Sequence, residues 1–389
     1  MKITIVCDVL GAENNGTTIA AMNLIRFMQE RGHNVKILCC DQDKKGMPNY
    51  YVSPVRSFGI FDKYVEKNGV SLAKPDNEVI HQALEGVDLV HIMLPFSLGV
   101  RAEKIAKEMG IPVSVGCHQL AENLSTHVYM QNVKFVNNAI YHHFKKFYQN
   151  ADNIHYVTPY LRTLYESMYG KTDGQAISNG VADVFTPAEK PVDISDGVNI
   201  VYTGRYSREK SHKTLIKAIA LCKNKDKIHL ILPGSGPLKD NIEEQCKNAG
   251  ITAQMGFVDR DKMPEMLRSC YLYVHAAEIE AEGIACLEAI SCGVVPVINN
   301  SPRCATKSYA IDEKNTFENN DSQNLADKID YWIDHYDEYC ARRQEYIESS
   351  SKLFSRKSCM EQMEKMFFDT IDRCAKKTKT SASTIEYKT

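Results

Sequence analysis

Residues 199 to 234 read NIVYTGRYSREKSHKTLIKAIALCKNKDKIHLILPG, and this stretch decides the fold. NIVYTGR (199 to 205) is a short β-branched run, the residues over 213 to 223 form a helix, and KIHLILPG (227 to 234) is a second apolar run. A strand, a helix and a strand in succession make a parallel pair with its crossover. The alternation continues downstream with a helix over 238 to 249, then ITAQMGF (251 to 257), LYVHAA (272 to 277) and VVPVINN (294 to 300). Upstream it starts again from the first residues. ITIVCD (3 to 8), a helix over 18 to 31, VKILCC (35 to 40), DLVHIMLP (88 to 95), a helix near 99 to 109, PVSVGCH (112 to 118) and NIHYVTP (153 to 159) repeat the architecture. The expected fold class is α/β, with two Rossmann-like, doubly wound parallel-sheet domains facing across a cleft.

The expected boundaries follow from composition. Residues 1–188 form the N-terminal domain, the polar Pro- and Gly-bearing stretch EKPVDISDG (189 to 197) opens the C-terminal domain over 189–355, and a last helix near 356–374 crosses back to the first. The tail KKTKTSASTIEYKT (376–389) is expected to be disordered. Lys plus Arg (47) nearly balance Asp plus Glu (49), which gives no support to a broad nucleic-acid-binding field. The thirteen cysteines are odd in number and show no zinc-like spacing, as expected of reduced thiols in the cytoplasm. MKITIVCDVL reads as a first strand and not a signal peptide, and no run approaches the ~20 apolar residues of a membrane span.

Ligands of open α/β sheets bind outside the carboxyl ends of the strands, so the chemistry is sought there. Arg205 ends one strand and Lys210 follows just before a helix, a pair of cations suited to a pyrophosphate, although R-x4-K alone also describes an ordinary solvated loop. After LYVHAA, Glu280 and Glu288 bracket a run of small residues. Gly283 lets the chain approach a ligand, Glu280 can accept hydrogen bonds from sugar hydroxyls, and Glu288 can accept both hydroxyls of a ribose. A capping carboxylate with an ordinary helix glutamate is the structural alternative. His118, at the end of PVSVGCH, is either a functional imidazole or a satisfied structural one.

Gly204-Arg205 with Lys210, Gly234-Ser235-Gly236-Pro237, and Glu280 to Glu288 together resemble the donor domain of the family 4 glycosyltransferases, of the GT-B fold, and the resemblance spans nearly the whole chain. Glu280 and Glu288 match that family's E-x7-E signature, and Asn179-Gly180-Val181 with Asp183 resemble its interdomain segment with Ala182 inserted. The resemblance implies a retaining, metal-independent hexosyltransferase that moves glucose from UDP-glucose to a lipid or cell-envelope glycan. It implies catalytic roles for His118, Glu280, Arg205 and Lys210, with His118 at the 6-hydroxyl side of the sugar. It implies donor binding by Gly16, Gly204, Gly234, Gly283, Ile284 and Glu288. Ala281, Glu282, Ala285 and Thr17 depart from the family's usual residues. EAEGIACLEA (280 to 289), followed by Asn300-Ser301-Pro302-Arg303, looks like a branch that glucosylates membrane diacylglycerol lipids.

No cofactor or essential metal is expected. Asp41-Gln42-Asp43 and Asp259-Arg260-Asp261 have the form of metal-binding triplets, but the Arg205/Lys210 pair makes a metal redundant. KFVNNAIYHHFKKFYQ (134 to 149) mixes aromatics with Lys145 and Lys146, so it either contacts an anionic membrane at its inner face or packs on its own sheet. Three other readings share parts of the pattern. A dinucleotide oxidoreductase would use Gly234-Ser235-Gly236 but lacks the third glycine. A sugar-nucleotide epimerase or a non-catalytic sugar-nucleotide-binding protein would use the same cleft.

Overall fold

The computed structural model of the chain describes residues 1–8, 10, 16–57, 59, 71–126 and 128–386, the side chains of 351–353 and 378–386 excepted. The chain divides into two compact units, one made of Met1–His118, Phe135–Asn179 and Cys359–Thr389, the other of Gln119–Lys134 and Gly180–Ser358.

In the first unit, β1 (Lys2–Val6), β2 (Asn34–Cys39), β3 (Tyr50–Val52), β4 (Leu89–Ile92), β5 (Val113–Cys117), β6 (Asn153–Tyr156) and β7 (Gly174–Ala176) form one sheet in the order β3-β2-β1-β4-β5-β6-β7. The pairing is parallel throughout; Ile3 faces Val35 on one side and Leu89 on the other. Ile3, Ile5, Ile37, Leu89, Val113 and Val115 are fully buried, because helices cover both faces of a parallel sheet. The helix Arg356–Glu386 buries Cys359, Met360, Met363, Met366 and Phe367, a stripe at helical spacing, in this same core. His33 and Arg31 both bond the Glu364 carboxylate of that helix, at 2.6 and 3.1 Å.

In the second unit, β8 (Val198–Val201), β9 (Ile228–Pro233), β10 (Ala253–Gly256), β11 (Leu272–His275), β12 (Val295–Asn299) and β13 (Thr316–Phe317) pair in the order β10-β9-β8-β11-β12-β13. The chain winds outward from β8 to β10 and then returns to the other side of β8 with β11. The carboxyl ends of β8 and β11 therefore lie side by side at the reversal, the position where such sheets leave a crevice.

The two parallel sheets are those expected, and the differences have local causes. β3, β7 and β13 are two or three residues long, too short to show a period of two. The run over 322 to 375 is three helices, Ser322–Asp334, Tyr336–Leu353 and Arg356–Glu386, broken at His335 and Phe354-Ser355. The helix Arg356–Glu386 continues into the segment 376–389 expected to be disordered, since an established helix extends at one hydrogen bond per added residue.

The expected boundary at 188/189 also differs from the contact pattern. Residues 180–188 join the second unit, where Val181 N–H donates to Phe354 O at 2.7 Å, Arg356 N–H to Val181 O at 3.0 Å, and Phe185 is buried in the core. Gln119–Lys134 does so too. Arg303 donates to Gln131 O and Asn132 Oδ1, both at 2.9 Å, and the Arg208 guanidinium lies 3.7 Å from the Tyr129 ring centroid. The helix Lys134–Asn150 turns Tyr141, Phe144, Phe147 and Tyr148 into the protein, so its aromatic face is occupied by its own domain.

Candidate functional site

The loops leaving β8 and β9 pass within backbone contact of one another. Gly204 N–H donates to Pro233 O at 3.0 Å, Gly234 N–H to Gly256 O at 2.8 Å, and a Cβ on Gly234 would sit 1.9 Å from Gly204 O. Only glycine permits that approach. The same loop continues through half-buried Arg205 and a single 3-10 turn, Arg208–Lys210, into the helix His212–Leu221. Tyr202 OH donates to Lys210 O at 2.9 Å, which anchors the lysine backbone from the core below.

The loop leaving β11 meets this one. Glu278 N–H donates to Glu209 O at 2.8 Å, and Glu280 is clamped by its own backbone: its N–H donates to Arg303 O at 3.1 Å and its carbonyl accepts from Ala305 N–H at 2.8 Å. Lys210 Nζ donates to Glu280 Oε2, and the two side chains are only 19% and 17% exposed. Burial pushes the Glu280 carboxyl up, but Lys210 and His275 outweigh it and hold the group below the usual carboxylate range. Burial likewise pushes Lys210 down, and Glu280 outweighs that effect and raises it. Both shifts describe one ionised pair. Glu280 leads to Gly283, whose φ of +77° and ideal Cβ position 2.2 Å from Thr306 Cγ2 admit no side chain. The helix Ile284–Ser291 starts there with no side-chain cap, and Ile284 is half-buried.

Two turns into that helix, Glu288 is 3% exposed and its Oε1 accepts from the guanidinium of Arg260. Burial raises the Glu288 carboxyl while Arg260 opposes the rise. Arg260 is the centre of the triplet Asp259-Arg260-Asp261. Asp259 instead pairs with Lys262 at 3.3 Å, and in the other triplet Asp41 accepts from Leu10 N–H at 2.9 Å while Asp43 pairs with Lys44 at 2.7 Å. The group of the 259–261 triplet that reaches Glu288 is the Arg260 guanidinium, which no local spacing marks.

In the first unit, Gly16 is the first residue of the helix Gly16–Glu30, and residues 11–15 lie outside the described residues. His118 follows β5, is 9% exposed and leaves Nε2 without a partner. Gly116 makes room for it: a Cβ there would stand 2.5 Å from His118 Nε2. Burial holds His118 well below the usual imidazole range, so it is neutral. Its ring packs edge-on against His155, and His91 lies beyond, both buried and neutral. Nothing in the sequence marked that histidine group, whose members come from three different strands or strand ends.

Residues 14–184 match the family model described as Glycosyltransferase Family 4, and residues 188–350 match the model described as Glycosyl transferases group 1. The chain is 22% identical over 324 residues to an alpha-monoglucosyldiacylglycerol synthase of Streptococcus pneumoniae, covering 78% of this chain and 72% of that one. The catalytic domain of a cholesterol-alpha-glucosyltransferase from Helicobacter pylori is 46% identical over 39% of this chain and 96% of that one, with a TM-score of 0.39. Anabaena HepE in complex with UDP-glucose is 15% identical over 95% of this chain and 100% of that one, with a TM-score of 0.74.

Proposed function

Because the chain belongs to the family 4 glycosyltransferases and has their GT-B architecture, we propose that it transfers glucose from UDP-glucose to a lipid hydroxyl with retention at the anomeric carbon. The observation that carries this reading is the half-buried Lys210–Glu280 pair at the reversal between β8 and β11. In this reading the diphosphate binds Lys210, Arg205 and the uncapped backbone N–H groups that follow Gly283. Glu280 grips hydroxyls of the hexose, and Glu288 takes the ribose. His118, neutral and with Nε2 unused, bonds the sugar's 6-hydroxyl side.

The bond from the anomeric carbon to the phosphate oxygen breaks as the acceptor oxygen attacks from the same face. The acceptor's proton passes to the departing diphosphate. Charge grows on that diphosphate in the transition state, and fixed cations already aimed at it stabilise the charge without reorganising. No essential metal is needed in this scheme.

The acceptor class follows the diacylglycerol-glycolipid synthase relative, and the donor follows the nucleotide sugar held by the structural neighbour. Peripheral contact with the inner face of an anionic membrane fits the exposed run Val128, Tyr129, Met130 and Val133, followed by Lys134 and an 82% exposed Phe135. No helix of the described residues is long and apolar enough to cross a membrane. Thirteen cysteines that all remain thiols fit a cytoplasmic setting.

The test is a panel of nucleotide sugars, with and without diacylglycerol vesicles and with and without a chelator, read by nucleoside diphosphate release, product mass and the anomeric coupling of the product. Transfer from UDP-glucose to lipid with an α-linked product is expected. Glu280→Ala and Lys210→Ala at wild-type rates would sink the site, and a changed sugar formed without an acceptor would replace transfer by epimerisation.

A further inference from the structure

His275 is the last residue of β11 and is 1% exposed, yet neither ring nitrogen has a hydrogen-bond partner. Buried polar groups in folded proteins are nearly all paired, so an imidazole with two idle nitrogens beside a binding site calls for an explanation. Packing does not supply it. The ring is lodged among Tyr202, whose centroid is 5.9 Å away edge-on, Tyr273, stacked at 6.1 Å, and the space above Gly283. An apolar side chain would fill that site with no polar atom to desolvate.

Its Nε2 lies 3.7 Å from Glu280 Oε2, the same oxygen that accepts from Lys210. That separation is too long for a hydrogen bond, and a swing of the carboxylate by roughly 1 Å would close it. Glu280 is free to make only that kind of motion, because its backbone is fixed on both sides by Arg303 O and Ala305 N–H. On the function proposed above, on which this inference rests, a bound diphosphate competes for Lys210. Glu280 would then lose its cation while remaining mostly enclosed.

We propose that His275 is a positioning residue for transfer: it donates Nε2–H to Glu280 once a nucleoside diphosphate has drawn Lys210 away, and so keeps the carboxylate aimed at the sugar. No proton moves in this handover. Burial holds His275 down at about 4, so the imidazole is neutral and acts as a plain N–H donor. The free protein keeps the donor idle because Lys210 already occupies Glu280.

Two measurements test this on the full chain. The first compares His275→Leu, which removes the donor, with His275→Gln, whose amide nitrogen reaches the place of Nε2. With the nucleotide sugar that the wild type uses, His275→Leu is expected to lower kcat about ten- to a hundredfold, the scale of one hydrogen bond to a charged group, while KM for the donor and Kd for UDP hold within about threefold. His275→Gln should recover most of kcat. A His275→Leu variant with kcat within twofold of wild type overturns the proposal, and so does equal impairment of the two variants at matched thermal stability.

The second measurement needs no folded variant of His275. Nitrogen-15 spectra of wild-type histidines are followed as UDP is added, with Glu280→Gln as the comparison. One buried imidazole N–H is expected to move into the hydrogen-bonded range in the wild type and to move less in Glu280→Gln. A spectrum unchanged at saturating UDP rules the handover out. Failure of the wild type to bind UDP at all is a different result, which overturns the functional proposal itself.

Discussion

Arg260 carries its guanidinium onto the carboxylate of Glu288, which the second unit buries almost completely. The same guanidinium lies 4.8 Å from the ring centroid of Phe185, so one side chain joins the loop after β10, the helix Ile284–Ser291 and the segment 180–188. Arg260 is itself 48% exposed, and solvent weakens its share of the pair.

Arg260→Ala should therefore destabilise the protein by roughly 1 to 2 kcal/mol, below the range for wholly buried pairs that lose one partner. The loss has a pH sign. Glu288 is already raised by burial, and removing Arg260 raises it further. A carboxyl raised in the fold binds protons that the unfolded chain has released, so stability falls as pH rises through that range. Urea unfolding of variant and wild type at pH 5 and pH 8 checks this. An equal difference at both values contradicts it.

The extent to which the sequence disclosed these features depends on the kind of residue. Strands of four to six residues that are largely buried write themselves as apolar runs, and β1, β2, β4 to β6, β8, β9, β11 and β12 were legible in this way, as was the partly exposed edge strand β10, within a few residues at each end. The spacings that single out Lys210, Glu280, Gly283 and Glu288 were legible because each is local, along one loop or from a loop into the helix that follows it. Their partners were not. Arg260 reaches Glu288 across 28 residues, His275 owes its place to the pleat of β11, and Arg303 holds Gln131 across 172 residues. Such pairings are set by sheet order, which no window of sequence contains.

Lys210 pairs with Glu280, and on the proposed function a diphosphate competes for it, so its replacement separates binding from transfer. Lys210→Ala should weaken UDP binding by about tenfold or more, as expected for one charge-assisted contact, and should lower kcat further because the charge growing on the leaving diphosphate loses a fixed cation. Lys210→Arg should recover only part of either, since the planar guanidinium does not fit a site built for a compact ammonium. Calorimetric titration with UDP and steady-state transfer are the two readouts. Unchanged UDP affinity in Lys210→Ala would remove Lys210 from the diphosphate site.

Gly283 combines two constraints that one double variant can pull apart. At φ +77° an alanine is strained by about 1 kcal/mol, and its Cβ would also overlap Thr306 Cγ2, which stands 2.2 Å from the ideal position. Gly283→Ala is expected to cost about 2 to 4 kcal/mol in all and to displace the start of the helix Ile284–Ser291. Thr306→Ser deletes the offending methyl. Gly283→Ala with Thr306→Ser should regain the steric part and leave only the backbone part, measured by thermal unfolding. No recovery in the double variant would mean that the collision lies elsewhere.

Among the described residues, five buried histidines dominate the response to acid. His91, His118, His155, His212 and His275 are all pushed down by burial, His155 and His275 to about 4 and His212 to about 3. Between about pH 6.5 and 4 the unfolded chain takes up protons at these positions and the fold does not, so each drains stability as pH falls, by at most about 1.4 kcal/mol per pH unit. Three buried carboxyls act in the opposite sense, Glu288 among them. Asp8 is raised to about 6 and Glu103 to about 8, chiefly by burial, and each gains stability as pH falls through its own range. The histidines outnumber them, so the net slope runs toward instability in acid. His155→Gln, which keeps a donor near the Ile177 carbonyl that His155 Nε2 now meets at 2.7 Å, should flatten the loss between pH 6.5 and 5. Asp8→Asn should steepen it, because the opposing carboxyl is gone while an amide oxygen still accepts from Ala73 N–H, at 3.0 Å in the wild type. Denaturant unfolding of the three proteins at several pH values provides the slopes, and a wild-type stability that rises on acidification across this window would show that the carboxyls dominate instead.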